Sequence, residues 1–364
     1  MSLMQYWILK KRVYLRYVLP LFFIALLGWG RITDPGGVFE KLQLSVIDLY
    51  SITGTSVPAN KPSRIVPAVS LIEIDEKTLD AYGQWPWSRE KIANILISIY
   101  EKGALAVGLD VLLVEPDRLS PSNYLEPYLE RGVNVNLFKN DYGYIDNDAF
   151  LSDVLEQTPS VLAVAGAHNK SPLPESGFNF AFVNTTIDKI PETNGLLLPT
   201  EALLKANPAL GHIVVFTDID GMLRKIPSVI RVSDKVYPSF FISLIAKIQG
   251  VSTLIQKGDP DGSNSLEMIK VGNVEIPIDD NGQLRLLSSE VLKKESTISL
   301  VDVIDGKHDS LIENAVVVIG PTALGLMDFH DVPGGLSVPG PLIHVAALNQ
   351  AFANKHLVRN EVII

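Results

Sequence analysis

The sequence of 364 residues has no cysteine, and it has no acidic residue before Asp34. Without cysteine, the chain forms no disulfide bond, has no thiolate nucleophile and cannot hold zinc through sulfur. Its formal net charge of -10 argues against a nucleic-acid partner, because phosphate contacts need a basic face. At 47% hydrophobic residues, the chain can nevertheless bury a large core.

The charge before Asp34 is entirely positive and flanks an apolar segment. Five basic residues lie there: Lys10, Lys11, Arg12, Arg16 and Arg31. The segment 17–30 (YVLPLFFIALLGWG) is apolar throughout. A spanning helix needs about 20 residues, and counting from Val13 brings the segment close to that length. We therefore predict a transmembrane anchor at 13–30, with residues 1–12 in the cytoplasm and the acidic remainder outside.

Two other interpretations of the apolar segment remain open at this point. A cleaved signal peptide has the same order of charge and hydrophobicity, although no small-x-small cleavage site closes the segment. A short apolar run is also compatible with a helix in the core of a soluble domain. The three interpretations differ in whether the mature chain stays attached to a membrane.

The residues that follow the anchor, 31–67, are predicted to form a membrane-proximal helix and a linker. Four apolar residues recur there at helical spacing: Val38, Leu42, Val46 and Leu49. This spacing predicts a helix that packs its apolar face on the domain. Residues 54–67 are rich in Gly, Pro and Ser, which is typical of a linker.

A strand, a helix and a second strand follow the linker within about 45 residues. Residues 68–74 (AVSLIEI) and 104–114 (ALAVGLDVLLV) are nearly continuous apolar runs, as expected of strands covered on both faces. Between them, Ser88 can cap a helix that ends at Lys102 before Gly103. This order predicts a right-handed parallel crossover.

The rest of the chain continues in the same way. The remaining predicted elements are a loop-rich insertion at 115–147, helices at 148–157, 238–249 and 341–354, strands at 160–167, 212–217, 226–232 and 315–320, and hairpins within 257–290. The predicted fold class is therefore α/β: a mostly parallel sheet flanked by helices, with an antiparallel elaboration and one N-terminal transmembrane helix.

Carboxylates follow the apolar strands repeatedly, which points to a binding site. The candidates are Asp75, Asp110, Asp328 and Asp331. In an open parallel sheet the ligand crevice lies at the carboxyl ends of the strands, so these acids could bind a cation, a polyol or an amine there. Alternatively, each aspartate caps a turn or a helix. His330 lies beside two of them and is a further candidate for ligand contact, although a lone histidine does not predict a metal site.

The loop 83–89 (GQWPWSR) is a second candidate for ligand contact. It is expected to be rigid, and it could present Trp85, Trp87 and Arg89 to a ligand. The alternative is that the two tryptophans fill the core of the crossover, because aromatic side chains dominate cores.

The segment 214–223 (VVFTDIDGML) resembles the nucleophile motif of haloacid-dehalogenase-type phosphatases. Asp218 would attack phosphorus and Asp220 would act as acid and base. Two features weaken this hypothesis: Met222 stands where Thr or Val is usual, and the motif lies late in the domain. The alternative is an ordinary turn that joins two strands of a hairpin.

The order of these segments resembles the CHASE2 domain family, extracellular sensory modules of bacterial receptors. The resemblance covers 38–357 and rests on the following stretches: VSLIEIDEKTLDAYGQWPWSREKIANILISIYEKGALAVGLDVLLVEPD, LGHIVVFTDIDGMLRKIP with its Asp220, Gly221 and Arg224, YPSFFISLIAK, VVVIGPTALGLMDFHDVP and VPGPLIHVAALNQAF. It implies that the Asp-Ile-Asp-Gly segment is a turn shared by the family.

The resemblance implies a sensor domain at 68–357 that lies in the periplasm and is held in the inner membrane, with 358–364 starting a further membrane region. It implies an unknown small-molecule ligand, no cofactor, no catalysis and a homodimer. Family members carry their output, a cyclase or a kinase, in a cytoplasmic domain. A partner-binding protein that uses the insertion 115–147 remains an alternative.

Overall fold

The computed structural model of the chain describes residues 34, 37–53, 57–58, 66–169, 177–258, 266–291, 296–326 and 329–356, with isolated positions between 20 and 29. The helices in these ranges are α1 Val38–Thr53, α2 Glu76–Tyr82, α3 Arg89–Glu101, α4 Glu126–Leu129, α5 Asn147–Gln157, α6 Glu201–Leu204, α7 Phe240–Gln249, α8 Ser288–Val291, α9 Leu300–Ile304 and α10 Gly340–Phe352.

The strands in the described ranges are β1 Val57–Pro58, β2 Ala68–Ile74, β3 Ala106–Leu109, β4 Ser160–Ala167, β5 Asn179–Val183, β6 Gly195–Leu197, β7 Ala209–His212, β8 Lys225–Pro227, β9 Val229–Val232, β10 Lys235–Pro238, β11 Thr253–Gly258, β12 Leu266–Val271, β13 Val274–Pro277, β14 Gln283–Arg285, β15 Thr297–Ser299, β16 Ala315–Pro321, β17 Phe329–Val332, β18 Leu336–Pro339 and β19 Lys355–His356.

The centre of the fold is a parallel sheet in the order β15-β2-β16-β3-β4-β7. The short strand β6 adds to the end of β4 in the antiparallel direction. Along β2, Leu71 and Ile72 point to opposite faces and are both fully buried. A strand covered on both faces needs apolar residues at every position, which is why the central strands read as continuous apolar runs.

Helices cover the two faces of this sheet. On one face α7 and α10 pack against the strands, and on the other face α3 and α5 do so. Phe240 comes very close to the sheet, since a Cβ at Gly211 would lie 2.4 Å from its Cα and a Cβ at Gly108 would lie 2.5 Å from its Cζ. Glycine is therefore required at both strand positions for α7 to sit at this depth.

A second sheet, in the order β13-β12-β11-β5, extends the core beyond α7 and α10. Its strands β11, β12 and β13 are antiparallel neighbours in sequence, and β5 joins β11 in parallel. The predicted α/β class, the parallel sheet and the hairpins within 257–290 are confirmed. The helix capped by Ser88 is confirmed too, because the Ser88 side chain accepts a hydrogen bond from the backbone N–H of Lys91.

Two predicted strands had the wrong bounds. The strand expected at 104–114 is confined to β3, and the strand expected at 212–217 ends at its first residue, His212. The predicted hairpin from this strand to the next was also wrong, because β8 pairs with β14 and β9 pairs with β10. Residues 218–222, between β7 and β8, form a turn that does not close a two-stranded ladder. Its two aspartates, Asp218 and Asp220, accept hydrogen bonds from Arg224.

The membrane-proximal helix exists, but its predicted packing face was wrong. Val38, Leu42, Val46 and Leu49 are 55%, 60%, 58% and 63% exposed, whereas Leu44 and Ser51 are buried. Hydrophobic spacing identified the helix correctly. It could not choose the face, because the contacts that orient α1 on the domain are polar and join residues far apart in the sequence.

The predicted anchor, 13–30, and the predicted linker, 54–67, lie largely outside the described residues, as does the segment 358–364. Within the part of the chain that the structure describes, no helix is long and apolar enough to cross a membrane.

The buried His212 makes the stability of the fold sensitive to acid. Its ring is fully buried at the end of β7, and neither ring nitrogen has a hydrogen-bond partner among the described residues. Burial, followed by the charge of the neighbouring His344, lowers the pKa of His212 from 6.5 to about 3. Below pH 6.5 the unfolded chain therefore binds a proton that the folded chain does not.

We predict that the free energy of unfolding is greatest above pH 6.5 and falls as the pH drops toward 3. His212→Gln removes the titration, so its slope over this window should be smaller by up to about 1.4 kcal/mol per pH unit. Urea unfolding at several pH values measures the slope. The matched control is His168→Gln, at an exposed position. An unchanged slope in the His212 variant would contradict the assignment.

Candidate functional site

Asp75, the first predicted ligand residue, caps a helix. It ends β2, and its Oδ1 accepts hydrogen bonds from the Thr78 backbone N–H at 2.9 Å, the Thr78 hydroxyl at 2.6 Å and the Ser299 hydroxyl at 2.8 Å. These bonds satisfy an otherwise open N–H group of α2 and join β2 to the end of β15. The carboxylate thus holds two strand ends together.

Asp110 lies two strands away from Asp75, because β16 separates β2 from β3. It is buried, and its backbone N–H donates to the Ile319 carbonyl at 2.8 Å. A Cβ at Gly320 would lie 3.2 Å from the Asp110 Cβ and 2.4 Å from Pro341 Cγ. Asp110 is therefore enclosed between the end of β16 and the start of α10.

The two tryptophans of the loop 83–89 pack against each other. Their ring centroids are 5.2 Å apart in an edge-to-face arrangement, and the indole N–H of Trp87 donates to the Gly83 carbonyl at 3.0 Å. They line an apolar cavity above β2 and β3 that leaves only about 10 Å³ of free volume, close to the space of one water molecule. In this conformation the tryptophans fill the crossover.

Arg89 is buried and ties the insertion 115–147 to α3 and α5. Its guanidinium donates to the Glu115 carbonyl at 2.8 Å, and its Nε lies 3.5 Å from Asp148 Oδ1. The Arg89 backbone N–H donates to Asp117 Oδ2 at 2.8 Å. Burial raises the pKa of Asp148, and the charge of Arg89 opposes this change. The arginine thereby fixes the start of the insertion on α5.

His330 and Asp331 lie on the hairpin of β17 and β18, and Asp328 lies outside the described residues. The Asp331 carbonyl accepts from the Leu223 backbone N–H at 2.7 Å. Among the described residues, no cluster of three or more His, Asp or Glu could hold a metal ion. The structure thus does not bring the predicted residues into one set, and ligand binding by them stays a prediction.

A different cluster is centred on Arg224, whose side chain is only 3% exposed. Its guanidinium donates to both oxygens of Asp48, at 2.7 and 2.9 Å, and to both oxygens of Asp220, at 2.8 and 2.7 Å. It also donates to Asp218 at 3.0 Å. Asp48 belongs to α1, and the other two acids form the turn of the Asp-Ile-Asp-Gly motif. We call these four residues the arginine node.

The electrostatics of the arginine node are mutually stabilising. Hydrogen bonds to Asp48 and Asp220 raise the pKa of Arg224. The hydrogen bond from Arg224 lowers the pKa of Asp220 from 3.8 to about 2, so Asp220 stays ionised. Two bidentate pairs to one planar guanidinium are the strongest geometry for such contacts. Asp218 and Asp220 are thus both bound to an arginine, which gives no support to the phosphatase hypothesis.

A second set of contacts joins the two ends of the described chain. The Ser51 hydroxyl of α1 accepts from the Ser288 backbone N–H at 2.7 Å. Gln350 of α10 accepts from the Leu287 N–H at 3.0 Å and donates to the Arg285 carbonyl at 2.7 Å. The segment 285–288 therefore connects α1 to α10. We call this arrangement the terminal junction.

The terminal junction is extended by the chain segments beyond the two helices. Strand β1 pairs with β19 in the antiparallel direction, with Val57 opposite His356. Lys355 forms an ion pair at 2.9 Å with Glu290, which is buried on α8. The segment that follows α1 and the segment that follows α10 therefore lie side by side.

Sequence reasoning missed most of these residues. Arg224 was part of the motif that carries the resemblance, but its partner Asp48 lies 176 positions away. One feature of the sequence could have pointed to Asp48: it is an acidic residue within a mostly apolar stretch of α1. Gln350 gave a similar signal, since it is a fully buried amide in the apolar final helix. A buried polar side chain is expected to have a partner, but the sequence does not name it.

A parallel α/β sheet flanked by helices hosts many unrelated functions, so the fold by itself assigns none to this chain. A family model for the CHASE2 domain matches residues 19–363. The chain therefore belongs to the CHASE2 domain family, which is a family of sensory, non-catalytic domains. Neither the curated proteins nor the solved structures gave a significant match.

We predict that Arg224→Met lowers the free energy of unfolding by about 3 kcal/mol, because it leaves three partly buried carboxylates without their cation. The matched control is Arg231→Met. Arg231 pairs with Glu192, whose side chain is 51% exposed, so its loss should cost less than about 1 kcal/mol. Urea unfolding measures both values. Equal effects of the two substitutions would show that the arginine node does not stabilise α1 on the domain.

Proposed function

We propose that this chain is the extracytoplasmic ligand-sensing input domain of a membrane signalling receptor. Membership of a sensory domain family supports the sensing role. The terminal junction is the observation that carries the rest of the proposal. It connects the helix that follows the predicted anchor to the last described helix, so both ends of the domain can respond to one event.

The proposed mechanism is a shift between two arrangements of the domain. A ligand changes such an equilibrium only through a difference in its affinity for the two arrangements. The arginine node attaches α1 to the turn of residues 218–222, and the terminal junction attaches it to α10. A movement of the core would therefore be passed to α1 and, through α10, to β19. The output, a cyclase or a kinase in the cytoplasm, would be carried outside this domain.

The membrane anchor at 13–30 and the periplasmic location are part of the same proposal. The basic flank before the apolar segment supports an orientation with the N-terminus inside. The described positions between 20 and 29 are helical, and the apolar side chains of Leu21, Phe22, Ile24 and Trp29 are exposed. A hydrocarbon environment would cover such side chains.

A homodimer also belongs to the proposal. The outward face of α1 carries the exposed side chains of Leu42, Val46 and Leu49, at steps of four and three residues. This is the spacing of a seam between two helices. A second copy would cover this apolar face, while the opposite face remains attached to the domain. The molar mass of the solubilised chain tests the homodimer. We expect the mass of two chains, and the mass of one chain would contradict this proposal.

Sensing is tested by stabilisation of the full chain against a library of metabolites and metal ions. We expect at least one compound to raise the melting temperature, because a ligand that binds the folded state stabilises it. The same compound should change hydrogen exchange in α1 and β19. Turnover of a phosphate ester, with no stabilisation by any compound, would contradict the proposal.

The orientation in the membrane is tested by single-cysteine labelling, which needs no background removal because the chain has no cysteine. A membrane-impermeant maleimide should label Asp234→Cys, in an exposed turn, when the outer membrane is permeabilised. It should label Ser2→Cys only after lysis. Equal labelling of both variants before lysis would contradict the predicted orientation.

A further inference from the structure

An open groove lies between α3 and the ends of α2 and α9. Its walls are Tyr82, Ser88, Glu90, Lys91, Asn94, Ile95, Ser98 and Ile304. Its volume is about 330 Å³, against about 10 Å³ for the cavity under the tryptophans. Small-molecule sites typically occupy 300 Å³ or more and combine an apolar surface with a few polar groups.

Lys91 is held in place at one wall of the groove. Its ammonium lies 5.3 Å from the ring centroid of Tyr82 and 5.4 Å from that of Trp87, and it donates to the Tyr82 carbonyl at 3.0 Å. Cation–π contacts and one hydrogen bond fix the position of a side chain that is otherwise flexible. Among the described residues this carbonyl is its one acceptor, so two of its three N–H groups are available to a guest.

A carboxylate also lines this groove. The Glu90 carboxylate forms no ion pair or hydrogen bond within the described part of the chain, and the Asn94 amide lies one helical turn further along α3. Ile95 and Ile304 supply apolar surface between the polar walls. The groove therefore offers a fixed cation, a carboxylate and an apolar floor to one small molecule.

We propose that this groove binds an amino acid or a similarly small zwitterion, with its carboxylate on Lys91 and its ammonium group on Glu90. The assignment rests on the proposed sensing function and adds a ligand class to it. A plain organic anion would leave the Glu90 carboxylate facing another negative charge, and a plain amine would face the Lys91 ammonium. A zwitterion satisfies both groups, and its side chain can cover Ile95 and Ile304.

The groove is also well placed to pass on the binding event. Tyr82 ends α2, which begins at the cap Asp75, and Ile304 ends α9, which begins beside Ser299. Since Ser299 donates to Asp75, the two helices that border the groove are already joined at their starts. A guest would join them at their ends as well and would fix the spacing between α9 and α3.

The test is isothermal titration of the purified full chain with the common amino acids, each compared with the acid that lacks its amino group and the amine that lacks its carboxylate. At least one amino acid should bind, and its two truncated analogues should bind more weakly. Lys91→Met should weaken binding of the amino acid by about tenfold or more, the loss of one charged hydrogen bond.

Glu90→Gln provides a second variant at a partly exposed position, where folding is not at risk. It should weaken binding of the amino acid, but it should leave binding of the acid that lacks the amino group unchanged. The matched controls are Lys247→Met and Glu101→Gln, which lie outside the groove and should leave binding unchanged. Amino-acid binding that neither Lys91→Met nor Glu90→Gln weakens would place the site elsewhere and overturn the assignment.

The outcomes also separate this assignment from the proposed function. If no amino acid binds but another compound of the metabolite library stabilises the chain, the sensing function stands and the zwitterion site is wrong. If no compound of either set binds, both proposals fail. Preferential binding of the acid without the amino group would overturn the role given to Glu90.

Discussion

The position of α1 on the domain depends on one buried guanidinium, that of Arg224. Arg224 binds Asp48 of α1 and Asp220 of the neighbouring turn, each through two hydrogen bonds, and Asp218 through one. A buried arginine is costly to desolvate, and only such complete pairing compensates for it. The same pairing leaves little freedom in the angle of α1, because planar bidentate contacts are directional. The node therefore determines which face of α1 meets the domain.

The exposed apolar face of α1 follows from this polar attachment. Since Asp48 and Ser51 must reach their partners, the side of the helix that carries Leu42 and Val46 turns outward. The terminal junction then brings β1 beside β19. A domain attached in this way can transmit a small change in its core to both chain ends together, which is what a sensory input domain requires.

Polar residues near the carboxyl edge of the sheet have different roles. Asp75 follows β2 and caps α2, with Thr78 and Ser299 as its hydrogen-bond partners. Arg89, beside the tryptophans, is occupied by the insertion. Glu90 and Lys91, the next two residues of α3, line the groove. In the described structure the Lys91 ammonium has one hydrogen-bond acceptor, and the Glu90 carboxylate has no partner. Arg89 and Lys91 of α3 thus differ in role: Arg89 holds the insertion, and Lys91 is the cation of the proposed ligand groove.

The sequence by itself determined the α/β class, the strands β2, β4 and β16, the helix capped by Ser88 and the family. These features depend on short-range periodicity and on motif order, which are local. Tertiary structure decided the face of α1, the partner of Arg224 and the end of β7 at His212. It also decided that Asp75 and Asp110 lie two strands apart. Each of these depends on which distant residues meet, and hydrophobic spacing carries no information about that pairing.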